Sequence, residues 1–189
     1  MGITRSSERA PHRPTRPKTQ AKSAPGSDAR DLAHRLVAGV LIDQRPFDQV
    51  LADLADRPRA AALAPRDRAF ARILATTVLR CHGELDHVLN TFLERPLPKE
   101  AGRVRTILLT GAAQLICLGT PPHAAVDMAV EATRRERGGA RFANLANAIL
   151  RRVAKEGAGL LEGKDRSALN VPDWLRQRTT RDDDGAIGD

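Results

Sequence analysis

The 189-residue chain is 41% hydrophobic and 29% charged, and it carries a formal net charge of +8. It has only two cysteines, which excludes a disulfide-rich scaffold, and its length suits one ordinary domain with tails. Only 3% of the residues are aromatic, and the abundant alanine, leucine and arginine are strong helix formers. The composition therefore predicts an all-α domain, and the positive charge favours an anionic partner such as nucleic acid or an acidic lipid surface.

The positive charge is concentrated in the first 22 residues, where six basic residues stand against one acidic residue, a net charge of +5. Prolines at positions 11, 14, 17 and 25 resist helix formation, and the segment has little apolar surface to bury. We therefore predict a disordered basic arm over residues 1–27. A solvated tail and a loose phosphate-binding arm both fit this composition. An amphipathic targeting pattern and a secretory apolar run are both missing from it.

From residue 28 onward, apolar residues recur at helical spacing almost without a break. Ser27 or Asp28 is expected to cap the first helix, because a short polar side chain accepts a bond from the free backbone N–H groups there. Seven helices are predicted from the positions of proline and glycine. The first ends near Arg45 and Pro46, the second ends at Arg57 and Pro58, and the third is opened by Pro65. The fourth follows Gly83, the fifth follows Pro98, the sixth is opened by Pro122, and the seventh covers residues 141–152. The third helix is expected to bury Phe70, Ile73 and Leu74.

The fifth predicted helix has small residues, Gly111 and Ala112, where its apolar stripe should be widest. Small side chains let a neighbouring helix approach closely, so this helix is expected to lie at the centre of the bundle. Gly111 is therefore assigned a structural role, and so is Pro122, which opens the sixth helix.

The seventh predicted helix, RFANLANAILRR over residues 141–152, carries two asparagines three residues apart. On a helical wheel Leu145 lies on the apolar face, Asn147 lies at the edge of that face and Asn144 lies on the far side. A part-buried amide has to satisfy neighbouring backbone groups. Asn147 is therefore interpreted as structural and Asn144 as solvated.

No stretch alternates apolar and polar residues over a useful length, so the parallel sheet that would hold a dinucleotide cofactor is not expected. The glycines from Gly157 to Gly163 follow a helix rather than a strand and are interpreted as a linker. Cys81 and Cys117 have no second pair, so they are interpreted as reduced thiols rather than zinc ligands. We predict no catalytic residue, no metal site and no cofactor.

Several ordered motifs carry a resemblance to a known family. They are PRDRAF at 65–70, VLR at 78–80, GELD at 83–86, GAAQL at 111–115, TPPHAAVDMAVE at 120–131 and LANAILRRV at 145–153. Over roughly residues 29–175 the chain is similar to the NusB family. It is most similar to the NusB-like amino-terminal domain of the bacterial 16S ribosomal RNA cytosine-C5 methyltransferases (RsmB, Sun or Fmu). Asn147 matches the asparagine of the family motif Val-Asn-Ala-Val-Leu-Arg.

The resemblance implies an all-α bundle of about seven helices that binds RNA, with a ribosomal protein as a second partner in the antitermination factors. Of the basic positions on the first helix of those factors, only Arg30 is retained. Candidate RNA contacts are Arg9, Arg13, Arg16 and Lys18 on the arm, Arg30 and Arg35 on the first helix, Arg103 and Arg105 at the start of the fifth, and Arg151 and Arg152 on the last. For each arginine on the helices a solvated surface charge is the simpler interpretation.

Three segments are predicted: the basic arm over residues 1–27, the NusB-like domain over 28–157, and a linker with a tail over 158–189. The sequence PDWL at 172–175 resembles the entry to a methyltransferase region. The cofactor loop and the Pro-Cys and Thr-Cys nucleophile motifs of such a region are missing, so we expect no methyl transfer by this chain alone.

The predicted function is RNA binding in the cytoplasm, away from membranes, in ribosomal RNA recognition or in transcription antitermination and its regulation. Two alternatives stay open. One is a truncated targeting module of a 16S ribosomal RNA methyltransferase, and the other is a helical protein-interaction module. Salt-dependent RNA affinity separates RNA binding from the last of these, because phosphate contact releases counterions.

Overall fold

The structure, a computed structural model, describes residues 26–171, 175, 176 and 178. Residues 26–171 contain α1 (Ser27–Leu41), α2 (Phe47–Ala55), α3 (Pro58–Ala61), α4 (Pro65–Arg80), α5 (His82–Phe92), α6 (Val104–Ile116), α7 (Pro122–Arg135), α8 (Ala143–Glu156) and α9 (Arg166–Asn170). Short 3₁₀ turns lie at Lys99–Ala101, Ala140–Phe142 and Gly159–Leu161. None of the described residues forms a strand, so the all-α prediction is confirmed.

The seven long helices correspond to the seven predicted from the sequence. Pro65 and Pro122 are the first residues of α4 and α7, where a missing N–H costs nothing. The capping prediction for α1 was wrong. That helix begins at Ser27 itself, after Gly26 with a φ of 75°, and no side chain caps it. Ser27 Oγ accepts a hydrogen bond from Arg135 on α7 instead, so it joins two helices.

The central element is α6, which is buried on all sides from Thr106 to Gln114. It packs against α1, α4, α5, α7 and α8. A helix surrounded in this way needs apolar or internally satisfied side chains on every face. Gln114 meets this requirement by donating to the carbonyl of Thr110 at 3.1 Å. A Cβ at Gly111 would lie 2.9 Å from Leu150 Cδ1, so the missing side chain lets α8 approach α6 closely.

Two residues predicted to face inward do not. Ile73 on α4 is 54% exposed, because the buried face of that helix is the narrow stripe of Ala71, Leu74, Ala75 and Val78. Leu145 on α8 is 38% exposed, while Ala146 and Leu150 are fully buried. In both helices the buried stripe is narrower than the run of apolar residues in the sequence.

The packed unit extends past Gly157, where the sequence indicated a linker. Leu161 is 5% exposed, and α9 packs against α5. Gly83, expected to separate two helices, lies inside α5, and the break falls at Cys81. A Cβ at Gly83 would lie 1.6 Å from the carbonyl oxygen of Leu169. Gly83 therefore allows the backbone of α9 to rest directly on α5.

Candidate functional site

A polar cleft of about 440 Å³ lies where α1, α3, α6 and α7 meet. Five arginines and three carboxylates share its wall with a histidine and a few apolar side chains. The charged residues and the histidine are Arg30, Arg35, Arg59, Arg103, Arg135, Asp28, Asp31, Glu136 and His34. Because the guanidinium groups outnumber the carboxylates, the cleft is electropositive and suits an anionic ligand.

Arg30 holds three helices together at the cleft. Its Nε donates to Gln114 Oε1 at 2.7 Å, and its Nη1 donates to the carbonyl oxygen of Gly26 at 3.1 Å. Its guanidinium carbon lies 5.0 Å from the centroid of the Phe70 ring, within cation–π range. Burial lowers the pKa of Arg30 from its ordinary value, yet a guanidinium stays charged at neutral pH. Arg30 thus fixes a positive charge where α1, α4 and α6 meet.

Two further arginines fix the opposite wall. Arg103, just before α6, donates to Glu136 Oε2 at 2.7 Å, and this carboxylate is largely buried. Arg135, at the end of α7, donates to Ser27 Oγ at 2.8 Å. These contacts position the ends of α6 and α7 against the start of α1. The wall of the cleft is therefore held by side-chain bonds between helices distant in sequence.

Arg35 and Arg59 are the two cleft cations that form no hydrogen bond to another helix within the described residues. Arg35 pairs with Asp31 at 2.9 Å, with side-chain exposures of 33% and 39%. Arg59 is exposed and makes no ion pair or hydrogen bond within the described part of the chain. Exposed pairs contribute little to stability, so both guanidinium groups are available to a ligand at small cost.

His34 lies on α1, faces the cleft and is only 3% exposed. Desolvation lowers the pKa of its imidazole to about 3; Asp31 opposes this shift, and Arg103, Arg30 and Arg135 add to it. The ring is therefore neutral at pH 7. The cleft combines a charged wall with an uncharged polar group at a buried position.

The other candidate contacts on the helices lie outside this cleft. Arg105 pairs with Asp86 on α5 and donates to Asn90 Oδ1 at 3.0 Å. Arg152 on α8 places its guanidinium 4.4 Å from the centroid of the Phe92 ring. Arg151, the preceding residue, is exposed. The structure therefore divides the predicted arginines between the cleft and the α5–α8 side.

Asn147 bonds to a neighbouring side chain on its own helix. Its Oδ1 accepts from Arg151 Nε at 3.1 Å across one turn of α8, and the residue is half-buried. No bond from its amide to a buried backbone group occurs within the described residues. The amide orients Arg151, and a structural role for Asn147 stays a prediction.

The four arm candidates Arg9, Arg13, Arg16 and Lys18 lie outside the described residues. Sequence reasoning missed His34, Arg59 and Arg135. Arg135 belongs to a pair of arginines in the last turn of α7, which reads as an ordinary helix end. Neither that pattern nor the local sequence around His34 indicates that both residues line one cleft, since this depends on how α1 and α7 pack.

The thiol of Cys117 is not activated as a nucleophile. Burial and the neighbouring Cys81 thiol raise the pKa of Cys117 to about 12, so it is protonated at neutral pH. The described residues contain no cluster of three or more histidine, cysteine or acidic side chains arranged to hold a metal. Nor does any helix among them have the length and apolar character needed to cross a membrane.

The fold and the cleft together define a class of all-α protein, a helical bundle with a cationic cleft beside its first helix. The model of the NusB family matches residues 27–155, more than half of the chain. The chain therefore belongs to the NusB family.

Relatives of known name share this region. The chain is 35% identical over 162 residues to ribosomal RNA small subunit methyltransferase B of Xanthomonas campestris, covering 85% of this chain and 35% of that protein. It is 39% identical over 136 residues to the protein of the same name from Thermus thermophilus, covering 71% and 31%. The Xylella fastidiosa protein of that name is 34% identical over 117 residues, covering 62% and 27%. The chain thus spans about a third of the length of these curated relatives.

Proposed function

We propose that this chain is an RNA-binding domain and that its target is small-subunit ribosomal RNA. The observation that carries the proposal is the convergence of five arginines on one cleft of about 440 Å³. Arginine presents a planar fork of donors that matches phosphate oxygens, and it stacks on exposed bases. A helical surface with such a cleft suits an irregular, partly single-stranded RNA better than a regular duplex.

The names of the relatives support ribosomal RNA over a leader RNA. Three relatives that share this domain are small-subunit ribosomal RNA methyltransferases by name. We infer that the role of the domain is recognition, because its sequence lacks the Pro-Cys and Thr-Cys motifs that cytosine-C5 transfer needs. Cys81 follows Arg80, and Cys117 follows Ile116. Delivering RNA to a methyltransferase active site is the finer role that this comparison favours over antitermination.

An apolar groove favours a second candidate function. It has a volume of about 470 Å³ and lies between α1, α2 and α3, with Leu32, Leu54, Ala60 and Leu63 in its wall. Its rim carries charged groups, of which Arg35 and Arg59 also line the cleft. Such a groove suits a protein segment, as expected for a helical interaction module. Binding through it would depend weakly on salt, whereas RNA binding through arginines releases counterions.

The test is a titration of the full chain with a small-subunit ribosomal RNA fragment over a range of salt concentrations. A steep linear fall of log affinity with log salt is expected, with roughly 0.7 to 0.9 units of slope for each phosphate contact. Removing residues 1–22 takes away a net charge of +5, so the slope is expected to flatten by several units if the arm binds phosphates. Absence of RNA binding even at low salt would contradict the proposal.

A further inference from the structure

His34 is the exception among the buried polar side chains of the described residues. The others are Ser27, Glu84, Thr106, Thr110, Gln114 and Thr133, and each makes at least one side-chain hydrogen bond. The imidazole of His34 makes none within the described part of the chain, although the residue is only 3% exposed. No fully buried side-chain nitrogen or oxygen among the described residues lacks a hydrogen bond, so the unbonded ring nitrogens of His34 reach solvent. Since His34 lines the arginine cleft, these nitrogens are open to a ligand there.

The cleft offers two kinds of group. Arg35, Arg59 and Arg135 are partly or fully exposed cations. The buried His34 shares the wall with the apolar side chains of Ile107 and Met128. A neutral imidazole offers one donor and one acceptor, whereas a bare phosphate only accepts bonds. The arginines therefore suit phosphates, and His34 with the apolar part of the wall suits a flat, uncharged group with polar edges.

We propose that the cleft receives one unpaired ribonucleotide, whose base makes hydrogen bonds with His34 while the flanking phosphates meet Arg35 and Arg59. The volume of about 440 Å³ lies in the range of pockets that enclose small ligands and exceeds what a single phosphate needs. Unpaired bases are the parts of RNA that proteins read by edge contacts. His34 is thus a specificity-determining residue of the RNA-binding surface, and this inference rests on the RNA binding proposed above.

The inference is tested with the full chain and short single-stranded homo-oligoribonucleotides of the four bases. Wild-type protein is expected to prefer one base by about tenfold, the scale of a good base contact. His34→Leu, which fills the site without polar atoms, is expected to reduce that preference to about onefold while the salt slope is unchanged. His34→Gln restores a donor and an acceptor and is expected to recover part of the preference. His123→Leu, at an exposed position on α7, is the matched control and should behave as wild type.

A direct readout does not depend on how the variants fold. In the wild-type protein, NMR signals of the His34 ring are expected to shift on addition of the preferred ribonucleoside 5′-monophosphate and to stay in place with inorganic phosphate. Two results overturn the inference. If ribosomal RNA binds with a steep salt slope but the His34 signals and the base preference do not respond, the site is wrong and the proposed function stands. If no RNA binds at all, both fail.

Discussion

His34 and Glu84 are both buried ionisable side chains, but they differ in their hydrogen bonds to the rest of the fold. Glu84 is 5% exposed, and Arg166 Nε lies 2.9 Å from its Oε2. Asn170 donates to its other carboxylate oxygen and accepts from its backbone N–H at 3.0 Å. His34 is 3% exposed, and its side chain makes no hydrogen bond within the described residues. One group closes the joint between α5 and α9, and the other borders an open cleft.

The difference teaches how a buried polar group can be assigned a role. A polar side chain whose bonds are all made within the fold contributes to stability and has nothing left to offer a ligand. One whose polar atoms face a cleft without a partner in the described residues has its bonds still to offer a ligand. The predictions that follow test this contrast, from the largest expected effect to the smallest.

The largest expected effect is a dependence of stability on pH through His34. The pKa of its imidazole is about 3 when folded and about 6.5 when unfolded. Between these values the unfolded chain binds a proton that the folded chain does not, so stability falls as the pH drops below 6.5. The loss relative to a His34→Gln variant is about 1.4 kcal/mol per pH unit, on the order of 4 kcal/mol by pH 3.

The check is a series of denaturant titrations of both proteins from pH 7 to pH 4. His123→Gln, which removes an exposed histidine, is the control. Parallel stability curves for wild type and His34→Gln would show that the imidazole is solvated in the folded protein, and the contrast with Glu84 would be lost.

A second prediction concerns the joint that Glu84 closes. Gly83→Ala places a Cβ 1.6 Å from the carbonyl oxygen of Leu169, so α9 has to move away from α5. A loss of about 2–3 kcal/mol in unfolding free energy is expected, with faster amide exchange in residues 166–170. Gly159→Ala is the control, since a Cβ there meets nothing within 4 Å. Equal stability of the two variants would mean that α9 does not rest on Gly83.

The same replacement at both buried groups gives the third prediction. Glu84→Leu leaves Asn170 and Arg166 without their partner and is expected to cost about 1–2 kcal/mol at pH 7. His34→Leu breaks no side-chain hydrogen bond and keeps a side chain of similar size, so at pH 7 it is expected to change stability by less than about 1 kcal/mol. Chemical denaturation measures both. A larger loss at His34 than at Glu84 would reverse the assignment of their roles.

The smallest effect is expected at Asn147. Its bond to Arg151 is exposed, so Asn147→Ala should cost less than about 0.5 kcal/mol. An amide that satisfies a buried partner, as inferred from the sequence, would instead cost on the order of 1–3 kcal/mol. Thermal unfolding of the variant decides between these values.

Local features of the sequence predicted the helices because their causes are local. Pro65 and Pro122 open helices by fixing φ, and the stripe around Gly111 marks the central helix by lacking bulk. The exposure of Ile73 could not be read from the sequence, because it depends on which stripe of α4 meets its neighbours.

The site was less predictable for the same reason. Arg30 and Arg35 could be placed on the first helix from their spacing, but His34 looked like one more residue of that helix. The burial of His34 at the cleft results from the packing of α6 and α7 against α1. The same packing brings Arg135 to the wall of that cleft. Contacts between elements distant in sequence decide which of several arginines share a surface.

The central claim is that RNA binds at the cleft, and a comparison of two double variants tests it most directly. Arg35→Gln with Arg59→Gln removes two cleft charges, and Arg151→Gln with Arg152→Gln removes two charges from α8. The affinity of each for a small-subunit ribosomal RNA fragment is measured as a function of salt concentration. The cleft variant is expected to bind at least tenfold more weakly, with a salt slope reduced by roughly 1.4 to 1.8. The α8 variant is expected to show less than half of these changes in log affinity and in salt slope. An α8 variant that loses as much affinity and slope as the cleft variant, or more, would contradict the account.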